Sequence, residues 1–359
     1  MPKKSIIFIA DMPDWAYHNI AKTWQNYLEG WNCYVAFAND FAMDFREFSP
    51  LRKSVLNLKN KIQNKEVYRK IDAHGNFSVP TYKKIPVYHI ETGERTDKTH
   101  FDIIVELAYY FQYISKFPFT AEKKLVGLYT DSFPHEGPFL DKLNTRNVRD
   151  LSRPDFFEIY LKNYDGLIVG NTNLLEDYQK FTDKIVFANG IYRQNEFAEN
   201  KNVGENEGLK IGWTGNPNRS MKGFHEVIEP AVEKVIATGR KVTLKTRFSG
   251  DYSGLLNFYS DVDVIAIASE ADTGPSLFAE ASLSKVPAIS TKIGFPKMII
   301  EDGINGMIVN RDIEEMKNAI IKLYDNRNLL KSFSERIKKD YLKQLDNSIS
   351  FENLKKLFT

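Results

Sequence analysis

A single carboxylate in apolar surroundings marks the most informative segment of the chain. Glu280 lies in a stretch of small and apolar residues that follows the apolar run Val264–Ala268 and an acidic turn at 270–272. A carboxylate in such surroundings is costly unless hydrogen bonds satisfy it. The two adjacent hydroxyls of a sugar or a ribose would fit its two oxygens, whereas the alternative is a helix acid turned toward solvent. The pattern therefore indicates a diol-binding group or a surface acid.

The turn before Glu280 carries groups that suit a phosphate or a sugar. Asp272 lies before the predicted helix rather than on it, so both acids can face one pocket. Pro275 is predicted at the first helical position, where its fixed φ is preorganised. The amides of Gly274 and Ser276 would then point out of the positive end of the helix, toward ligand oxygens.

A glycine-containing loop, GWTGNPNRSMKGF from Gly212 to Phe224, supplies candidate cations after another apolar strand. Glycine lets the backbone approach a ligand closely. Arg219 or Lys222 could hold phosphate through a charge-assisted hydrogen bond, which contributes about 1.5–3 kcal/mol. The alternative is a surface loop with scattered basic residues. Lys245 and Arg247 follow the next strand, and for them we favour exposure to solvent over a role in binding.

Two loops in the first half of the chain also follow apolar strands. Asp131, His135 and Glu136 belong to one of them, where a histidine could bind a sugar hydroxyl or an acceptor. A lone loop histidine is, however, more often ordinary surface. Asp14 and Trp15 belong to the turn after the first strand, and the indole could stack on a sugar. We take both loops as candidate acceptor sites.

Other classes of chemistry lack their usual signals. The first strand is not followed by a Gly-X-Gly-X-X-Gly turn, so a dinucleotide dehydrogenase is not indicated. The sequence has no Gly-X-Ser-X-Gly elbow and no Cys/His pair that would indicate a hydrolase. Asp261-Val-Asp263 resembles a metal-binding pair, but it directly precedes an apolar strand and is better explained as the end of a helix and turn. We expect no metal and no other cofactor.

Composition places the chain among globular proteins of two domains. It has 359 residues, 42% hydrophobic and 27% charged residues, and a net charge of +2, which does not indicate nucleic acid as a partner. The N-terminal apolar run, Ile6–Ala10, is too short for a signal peptide and is predicted as the first strand. Cys33 is the only cysteine, so an internal disulfide is excluded and a reducing cytoplasm is expected.

Apolar strands alternate with helical patterns through both halves, which is typical of parallel, doubly wound sheets. We predict an acceptor-side α/β domain over residues 1–195, an α/β domain that binds the donor over 205–335, and a C-terminal helix over 336–359 that returns to the first domain. A polar linker, 193–208, separates the two domains, and their ligand is expected in a cleft between them. A basic insertion at about 46–98 holds twelve Lys/Arg against six Asp/Glu. It is either a solvated helical segment or a surface for an anionic membrane or acceptor.

These segments together resemble the retaining glycosyltransferases of family 4, which have the GT-B fold of two Rossmann-like domains. YDGLIVGNTNLLEDYQKF (Tyr164–Phe181) and the following Asn-Gly-Ile resemble the end of the family's first domain. IGWTGNPNRSMKGF resembles its phosphate loop, and SISFENLKKLF resembles its closing helix. Asp272 to Glu280 is similar to its signature of two glutamates separated by seven residues.

The resemblance implies a role for each matching residue. Glu280 would bind the ribose hydroxyls of a nucleotide sugar, and Lys222 would neutralise the pyrophosphate. Asp272 would hold the donor sugar, and His135 would lie near the transferred sugar. The rest of the donor site would be formed by residues of the two loops: Gly215, Asn216, Arg219, Thr273, Gly274, Pro275 and Ser276. Asp272 replaces the usual glutamate, and Asn216 replaces the arginine of the usual Gly-Arg pair, so Arg219 is the substitute candidate.

The predicted function is therefore transfer of a sugar from a UDP- or GDP-sugar to a glycan or lipid-linked acceptor, with retention of configuration and without metal. Candidate acceptor contacts are Asp14, Trp15, Asp131 and Glu136. A peripheral position at the inner face of the membrane is a further hypothesis. The main alternative is a non-catalytic GT-B-like subunit that binds a nucleotide or glycan within a synthase complex. A sugar-nucleotide epimerase ranks lower, because it needs acid–base pairs on both faces of the sugar.

Overall fold

The computed structural model describes residues 3–37, 70–71, 77–78, 86–107, 119–129, 152–250 and 252–359. It forms two compact units. The first unit comprises residues 1–170, 174–192 and 351–359. The second unit comprises residues 171–173 and 193–350. The candidate loop of Asp131, His135 and Glu136 lies outside the described residues, as does most of the basic insertion at 46–98.

An eight-stranded sheet forms the centre of the first unit, in the order β10-β9-β8-β7-β1-β2-β5-β6. The strands from β10 to β2 are parallel, whereas β5 and β6 form an antiparallel hairpin at the edge. A separate pair, β3 and β4, is antiparallel. The strand bounds are β1 Ser5–Ala10, β2 Asn32–Phe37, β3 Lys70–Ile71, β4 Phe77–Ser78, β5 Val87–His89, β6 Arg95–Thr96, β7 His100–Glu106, β8 Thr120–Leu128, β9 Gly166–Val169 and β10 Ile185–Phe187.

Continuous apolar runs produce the central strands of this sheet, because a parallel sheet is covered on both faces. Every residue of β1 and β9 is buried. The described helices of this unit are α1 Ala16–Gln25, α2 Arg153–Phe156 and most of α3 Thr172–Tyr178, together with residues 351–358 of the last helix of the chain. Helix α2 is a short α-helical turn that continues as a π-helical turn, Phe157–Leu161.

The second unit contains a five-stranded, wholly parallel sheet in the order β12-β11-β13-β14-β15. Its strands are β11 Leu209–Thr214, β12 Val242–Arg247, β13 Val264–Ile267, β14 Ala288–Ser290 and β15 Met307–Ile308. Its helices are α4 Glu229–Ile236, α5 Tyr252–Phe258, α6 Ser276–Leu283, α7 Gly294–Ile299, α8 Ile313–Asp325 and α9 Arg327–Leu345. A last helix, α10 Asn347–Phe358, follows a break at Asp346, whose ψ of 138° is extended.

The strand orders define where ligands are expected. In the second unit β11 has β12 on one side and β13 on the other, so the chain changes direction across the sheet at β11 and β13. In the first unit β1 has the same position between β2 and β7. Ligands of open parallel sheets bind beyond the carboxyl ends of strands at such a switch point. The loops after β11, β13 and β1 are therefore the ones to examine.

Within the described ranges, none of the helices combines the length and the apolar character that crossing a membrane requires. The hypothesis of a peripheral membrane contact rests on the basic insertion and stays a prediction.

Candidate donor site

Two loops meet at the switch point of the second unit. The loop after β11 runs through a 3-10 turn, Ser220–Lys222, and the loop after β13 contains the acidic turn. The amide of Glu270 donates to the carbonyl of Met221 at 2.9 Å, which joins the two loops through their backbones. The two loops that carry the candidate phosphate-binding and acidic residues therefore lie side by side within this unit.

A glycine permits this close approach. Gly223 has a φ of +69°, and a Cβ added there would lie 2.4 Å from the carbonyl oxygen of Ala268. Any side chain at this position would therefore collide with the backbone at the end of β13 and would also be strained in the left-handed region. The loop after β11 is thus fixed against the neighbouring strand.

Arg311 fixes the same two loops from a third segment. Its guanidinium donates to the carbonyl of Ala268 at 3.0 Å and to the carbonyl of Ser220 at 2.8 Å, and it forms an ion pair with Glu270 at 3.3 Å. The planar guanidinium can make several such bonds in one geometry. Sequence reasoning missed this residue, because it lies outside both loops and no motif marks it.

Lys222 and Asp272 form an ion pair between the two loops. Their side chains are 25% and 14% exposed, so the pair is partly desolvated but still reachable from solvent. The structure therefore brings together two of the predicted donor-binding residues. A cation in this position can neutralise a diphosphate, and its partner carboxylate can accept hydrogen bonds from sugar hydroxyls.

Glu280 lies in the middle of α6 and is only 5% exposed, which settles its predicted alternatives in favour of burial. The hydroxyl of Tyr259 donates to its Oε2 at 2.7 Å. Burial raises the pKa of the Glu280 carboxyl to about 7, although the hydrogen bond from Tyr259 acts in the opposite direction. The side chain can therefore exist in both protonation states near neutral pH.

The helix that carries Glu280 begins one residue later than predicted. It starts at Ser276, and Pro275 precedes it with an extended ψ of 119°, so the prediction of Pro275 at the first helical position is wrong. The carbonyl of Pro275 accepts the first helical hydrogen bonds, from the amides of Phe278 and Ala279. Pro275 thus serves as the N-terminal flanking residue, which requires a carbonyl acceptor and no amide.

The residues just before α6 are tightly confined. Thr273 is 5% exposed, and no described residue hydrogen-bonds to its Oγ1. A Cβ added to Gly274 would lie 2.3 Å from Cζ of Phe295. Because a side chain does not fit at Gly274, the backbone before α6 is held close to the Phe295 ring.

Three other predicted residues lie at the exposed start of the loop after β11. Gly215 is exposed with a φ of +144°. The Oδ1 of Asn216 accepts from the amide of Asn218 at 3.0 Å, which is a local turn. Arg219 is exposed, and its Nη2 lies 3.3 Å from Sδ of Met221. The structure thus connects Lys222 to the acidic turn, whereas the Arg219 side chain stays on its own loop.

The Asp261 and Asp263 pair has a structural explanation, as the sequence suggested. Asp263 is fully buried and accepts hydrogen bonds at 2.9 Å from the amides of Gly204 and Lys210 and from the side chain of Asn206. Asp261 forms ion pairs with Lys210 and Lys245. Lys245 is therefore engaged on the surface of the second unit rather than in the donor loops.

The switch point of the first unit carries a second group of polar residues. Asp14 has a φ of +60° and forms an ion pair with Lys22 at 2.6 Å. Trp15 is the N-cap residue directly before α1 and is 58% exposed. The amide of Asp14 donates to Nδ1 of His18 at 2.9 Å, and burial lowers the pKa of His18 to about 4, so this histidine is neutral at pH 7.

Asp11 was not a sequence candidate. Its Oδ1 is buried, no described residue hydrogen-bonds to that oxygen, and burial raises the pKa of the carboxyl. The apolar run before Asp11 predicts the strand β1 but does not indicate a role for the carboxyl that follows it.

Comparisons with known proteins agree with this geometry. Residues 222–340 match the sequence-family model "Glycosyl transferases group 1", a segment that contains Lys222, Asp272 and Glu280. No curated protein matches the sequence significantly. The similarity to solved structures, in contrast, covers the whole chain.

Three solved glycosyltransferase structures illustrate this similarity. TarM has a TM-score of 0.65 and 12% identity, and 99% of each chain is covered; a variant of the S. aureus protein was solved with Fondaparinux, alpha-GlcNAc-glycerol and UDP. HepE from Anabaena, solved with UDP and glucose, has a TM-score of 0.58 and 10% identity over 98% of each chain. The pneumococcal O-GlcNAc transferase GtfA, solved with UDP and GlcNAc, has a TM-score of 0.58 and 13% identity over 100% of this chain and 99% of its own.

The solved structures show the fold of the chain, and the family model matches one segment of its second unit. The chain has the glycosyltransferase GT-B fold, with two Rossmann-like α/β units, as predicted. Its second unit carries the segment that matches the group 1 glycosyltransferases, so the predicted resemblance is confirmed at the level of that group.

Proposed function

We propose that the protein transfers a sugar from a nucleotide-sugar donor, a UDP- or GDP-sugar, to a glycan or lipid-linked acceptor. The observation that carries this proposal is the position of Glu280 within the donor unit. It is a buried carboxyl in a helix at the switch point of a parallel sheet, within the matched segment, and the Lys222–Asp272 pair lies at the same edge of that sheet. The similar structures of HepE and GtfA contain UDP, which supports a nucleotide donor.

Each residue has a distinct task in this proposal. The Glu280 carboxylate accepts hydrogen bonds from the two ribose hydroxyls. Lys222 moves from Asp272 to the diphosphate and stabilises the negative charge that develops as the sugar–phosphate bond breaks, in the manner of a preorganised electrostatic site. Asp272, freed from Lys222, accepts hydrogen bonds from hydroxyls of the donor sugar.

Retention of configuration is part of the proposal. The acceptor hydroxyl would attack the anomeric carbon of the donor sugar on the same face from which the leaving diphosphate departs. An oxygen of that phosphate would take the proton of the acceptor hydroxyl. This route needs no enzyme nucleophile and no resident metal, because Lys222 supplies the positive charge. A proton nuclear magnetic resonance spectrum of the fresh product would give the anomeric configuration, and inversion would contradict this step.

The acceptor side is proposed from the first unit. Trp15 presents an exposed indole beside Asp14 at the switch point, which suits stacking on a sugar ring. His135, Asp131 and Glu136 remain candidates from the sequence alone. Alanine substitution of Trp15 should raise the KM for acceptor and leave the KM for donor unchanged.

Nucleotide binding is the first test. Calorimetric titration with a panel of UDP- and GDP-sugars should give one donor that binds wild-type protein, and Glu280→Ala should abolish that binding. Lys222→Ala should weaken UDP or GDP more than the free nucleoside, because only the diphosphate needs the cation. Unchanged affinity in Glu280→Ala would refute the assignment.

The departures at Asp272 and Asn216 keep a non-catalytic subunit as the competing function. Slow release of nucleoside diphosphate from the donor that binds, lost in Glu280→Ala, would exclude that alternative. Tight binding without any release or transfer would favour it.

A further inference from the structure

The hydroxyl of Tyr259 connects the two parts of the candidate donor site. We propose that Tyr259 is a positioning residue for the donor: it holds one oxygen of Glu280 and, through Thr214, the start of the loop after β11. The ribose carboxyl and the phosphate-binding loop are then set relative to each other by one side chain. This inference rests on the proposed function, since it assigns Tyr259 to the same site.

The contacts of the hydroxyl carry the proposal. It donates to Oε2 of Glu280 at 2.7 Å, and the side chain of Thr214 forms a second hydrogen bond with it. Because the only proton of the tyrosine hydroxyl goes to Glu280, the threonine hydroxyl is the donor in the second bond. The Thr214 hydroxyl therefore donates to the Tyr259 hydroxyl, which in turn donates to the Glu280 carboxylate. The tyrosine hydroxyl donates its only proton to Glu280, which leaves the other carboxylate oxygen, Oε1, available to a ligand.

Tyr259 is itself rigidly held. It is fully buried in a 3-10 turn, Tyr259–Asp261, directly before β13. The side-chain amide of Asn200 donates to the carbonyl of Tyr259 at 3.0 Å and to that of Val262 at 2.7 Å. The ring packs against Phe258, with centroids 5.2 Å apart, and against Phe197 at 6.2 Å. A side chain whose rotamer is locked in this way can orient a binding group within a narrow range.

The position of Thr214 extends the effect to the phosphate loop. Thr214 is the last residue of β11, and Gly215, with its φ of +144°, follows it directly. Glu280 lies on α6, after a different strand. Among the described residues, the Tyr259 hydroxyl is the side-chain group that hydrogen-bonds both to the Glu280 carboxyl and to Thr214 at the start of the loop after β11.

The pH dependence of binding distinguishes this role from simple packing. Two tyrosines from packed elements lie near Glu280: Tyr259 from the turn, which hydrogen-bonds to it, and Tyr341 from α9, whose own pKa is raised by burial, with smaller contributions from Asp346 and Glu280. Burial raises the pKa of Glu280, and the hydrogen bond from Tyr259 lowers it. The ribose diol donates two hydrogen bonds, so it prefers the ionised carboxylate. Removing the Tyr259 hydroxyl should therefore move the pH at which binding becomes strong to a higher value.

Tyr341 provides a matched control. It is also fully buried, but no described residue hydrogen-bonds to its hydroxyl, and its ring packs against Phe278 with centroids 6.4 Å apart. Tyr341→Phe thus removes a hydroxyl of the same kind, next to the same helix, without removing a hydrogen bond to Glu280.

The experiment is calorimetric titration of UDP and GDP, between pH 6 and pH 9, into wild-type, Tyr259→Phe, Tyr341→Phe and Glu280→Gln proteins. The nucleotide that binds wild type should bind Tyr259→Phe about tenfold more weakly at pH 7. The pH range over which the affinity rises should also shift to higher pH in Tyr259→Phe. Tyr341→Phe should match wild type in both respects. The titration of the nucleotide itself is common to all variants and cancels when their profiles are compared, and Glu280→Gln should bind neither nucleotide detectably.

The outcomes separate the two proposals. If neither nucleotide binds the wild-type protein, the proposed function fails. If wild type binds but Tyr259→Phe gives the pH profile of Tyr341→Phe, the inference about Tyr259 is wrong and the function stands. Thr214→Val provides a second variant should Tyr259→Phe unfold, as judged by its thermal midpoint. It should weaken binding by a smaller factor, and an affinity equal to that of wild type would overturn the link to the loop.

Discussion

Lys222 and Asp272, 50 positions apart in the sequence, form an ion pair across two loops of the second unit. In the proposed function, Lys222 binds the diphosphate and Asp272 binds the donor sugar, so the ion pair joins two groups that the ligand would engage separately. A ligand that engages both groups must separate them. The loops themselves stay joined without this pair, because Arg311 bonds to both of them.

Neutralising Asp272 should therefore tighten the binding of free diphosphate. In Asp272→Asn the ammonium of Lys222 no longer has a competing carboxylate, so we expect UDP or GDP to bind a few-fold more tightly while sugar transfer is lost. Calorimetry and a transfer assay measure the two effects. Asp325→Asn, which breaks the ion pair with Arg240 in the same unit, is the control and should change neither. Weaker diphosphate binding in Asp272→Asn would contradict the competition.

A buried carboxyl in the first unit should make stability depend on pH. Glu106 accepts a hydrogen bond from the hydroxyl of Tyr164 at 2.6 Å, and burial raises its pKa to about 7. The folded chain keeps this proton at pH values where the unfolded chain has lost it. The stabilisation is therefore complete below about pH 4.5 and is lost as the pH rises through 7.

Glu106→Gln should remove this dependence. Relative to wild type, the variant should gain on the order of 3 kcal/mol of unfolding free energy between pH 4 and pH 8. Urea unfolding at both pH values gives the difference. Glu158→Gln, an exposed acid in the same unit, should show no such gain. A constant difference between Glu106→Gln and wild type would show that Glu106 titrates normally.

Gly274 should tolerate no side chain. In Gly274→Ala the added methyl group overlaps the ring of Phe295, so the free energy of unfolding should fall by about 1–3 kcal/mol and donor affinity should fall with it. The double variant with Phe295→Leu should recover part of the loss, because the smaller side chain makes room. Ser332→Ala, at an exposed position of α9 outside both loops, is the control. Purely additive effects of the two substitutions would argue against the overlap.

Asp263 should matter for folding and not for metal binding. Asp263→Ala leaves the amides of Gly204 and Lys210 without their buried acceptor, so it should lower the unfolding free energy by about 3 kcal/mol.

EDTA should leave transfer by wild-type protein unchanged, because Lys222 supplies the charge in the proposed mechanism. Activity lost to EDTA and restored by a divalent cation would disprove metal independence.

The sequence predicted the parts of the fold that depend on local pattern. The apolar runs Ile6–Ala10 and Val264–Ala268 indicated β1 and β13 to within one residue at each end, because buried parallel strands need continuous apolar residues. The two strands depend on residues that are adjacent in the chain. The apolar neighbours of Glu280 left both a diol-binding group and a surface acid open, and the structure shows that the side chain is buried.

The hydrogen-bond partners of the predicted site residues could not be predicted from the sequence. Tyr259 is 21 residues from Glu280, and Arg311 is 43 residues from Ala268, so only the folded sheet brings them together. The position of Pro275 before α6 depends on one backbone angle that the Thr-Gly-Pro pattern leaves open. The roles of His135, Asp131 and Glu136 stay predictions, because these residues lie outside the described part of the chain.

The path of the chain between the two units determines the order in which a ribosome can complete them. The second unit takes nearly all its residues from one continuous segment, 193–350, whereas the first also needs residues 351–359. Leu354 and Leu357 are buried in the core of the first unit, and Leu357 lies against Gly166 at the start of β9. During synthesis, every residue of the second unit therefore leaves the ribosomal exit tunnel before the C-terminal residues that complete the apolar core of the first unit.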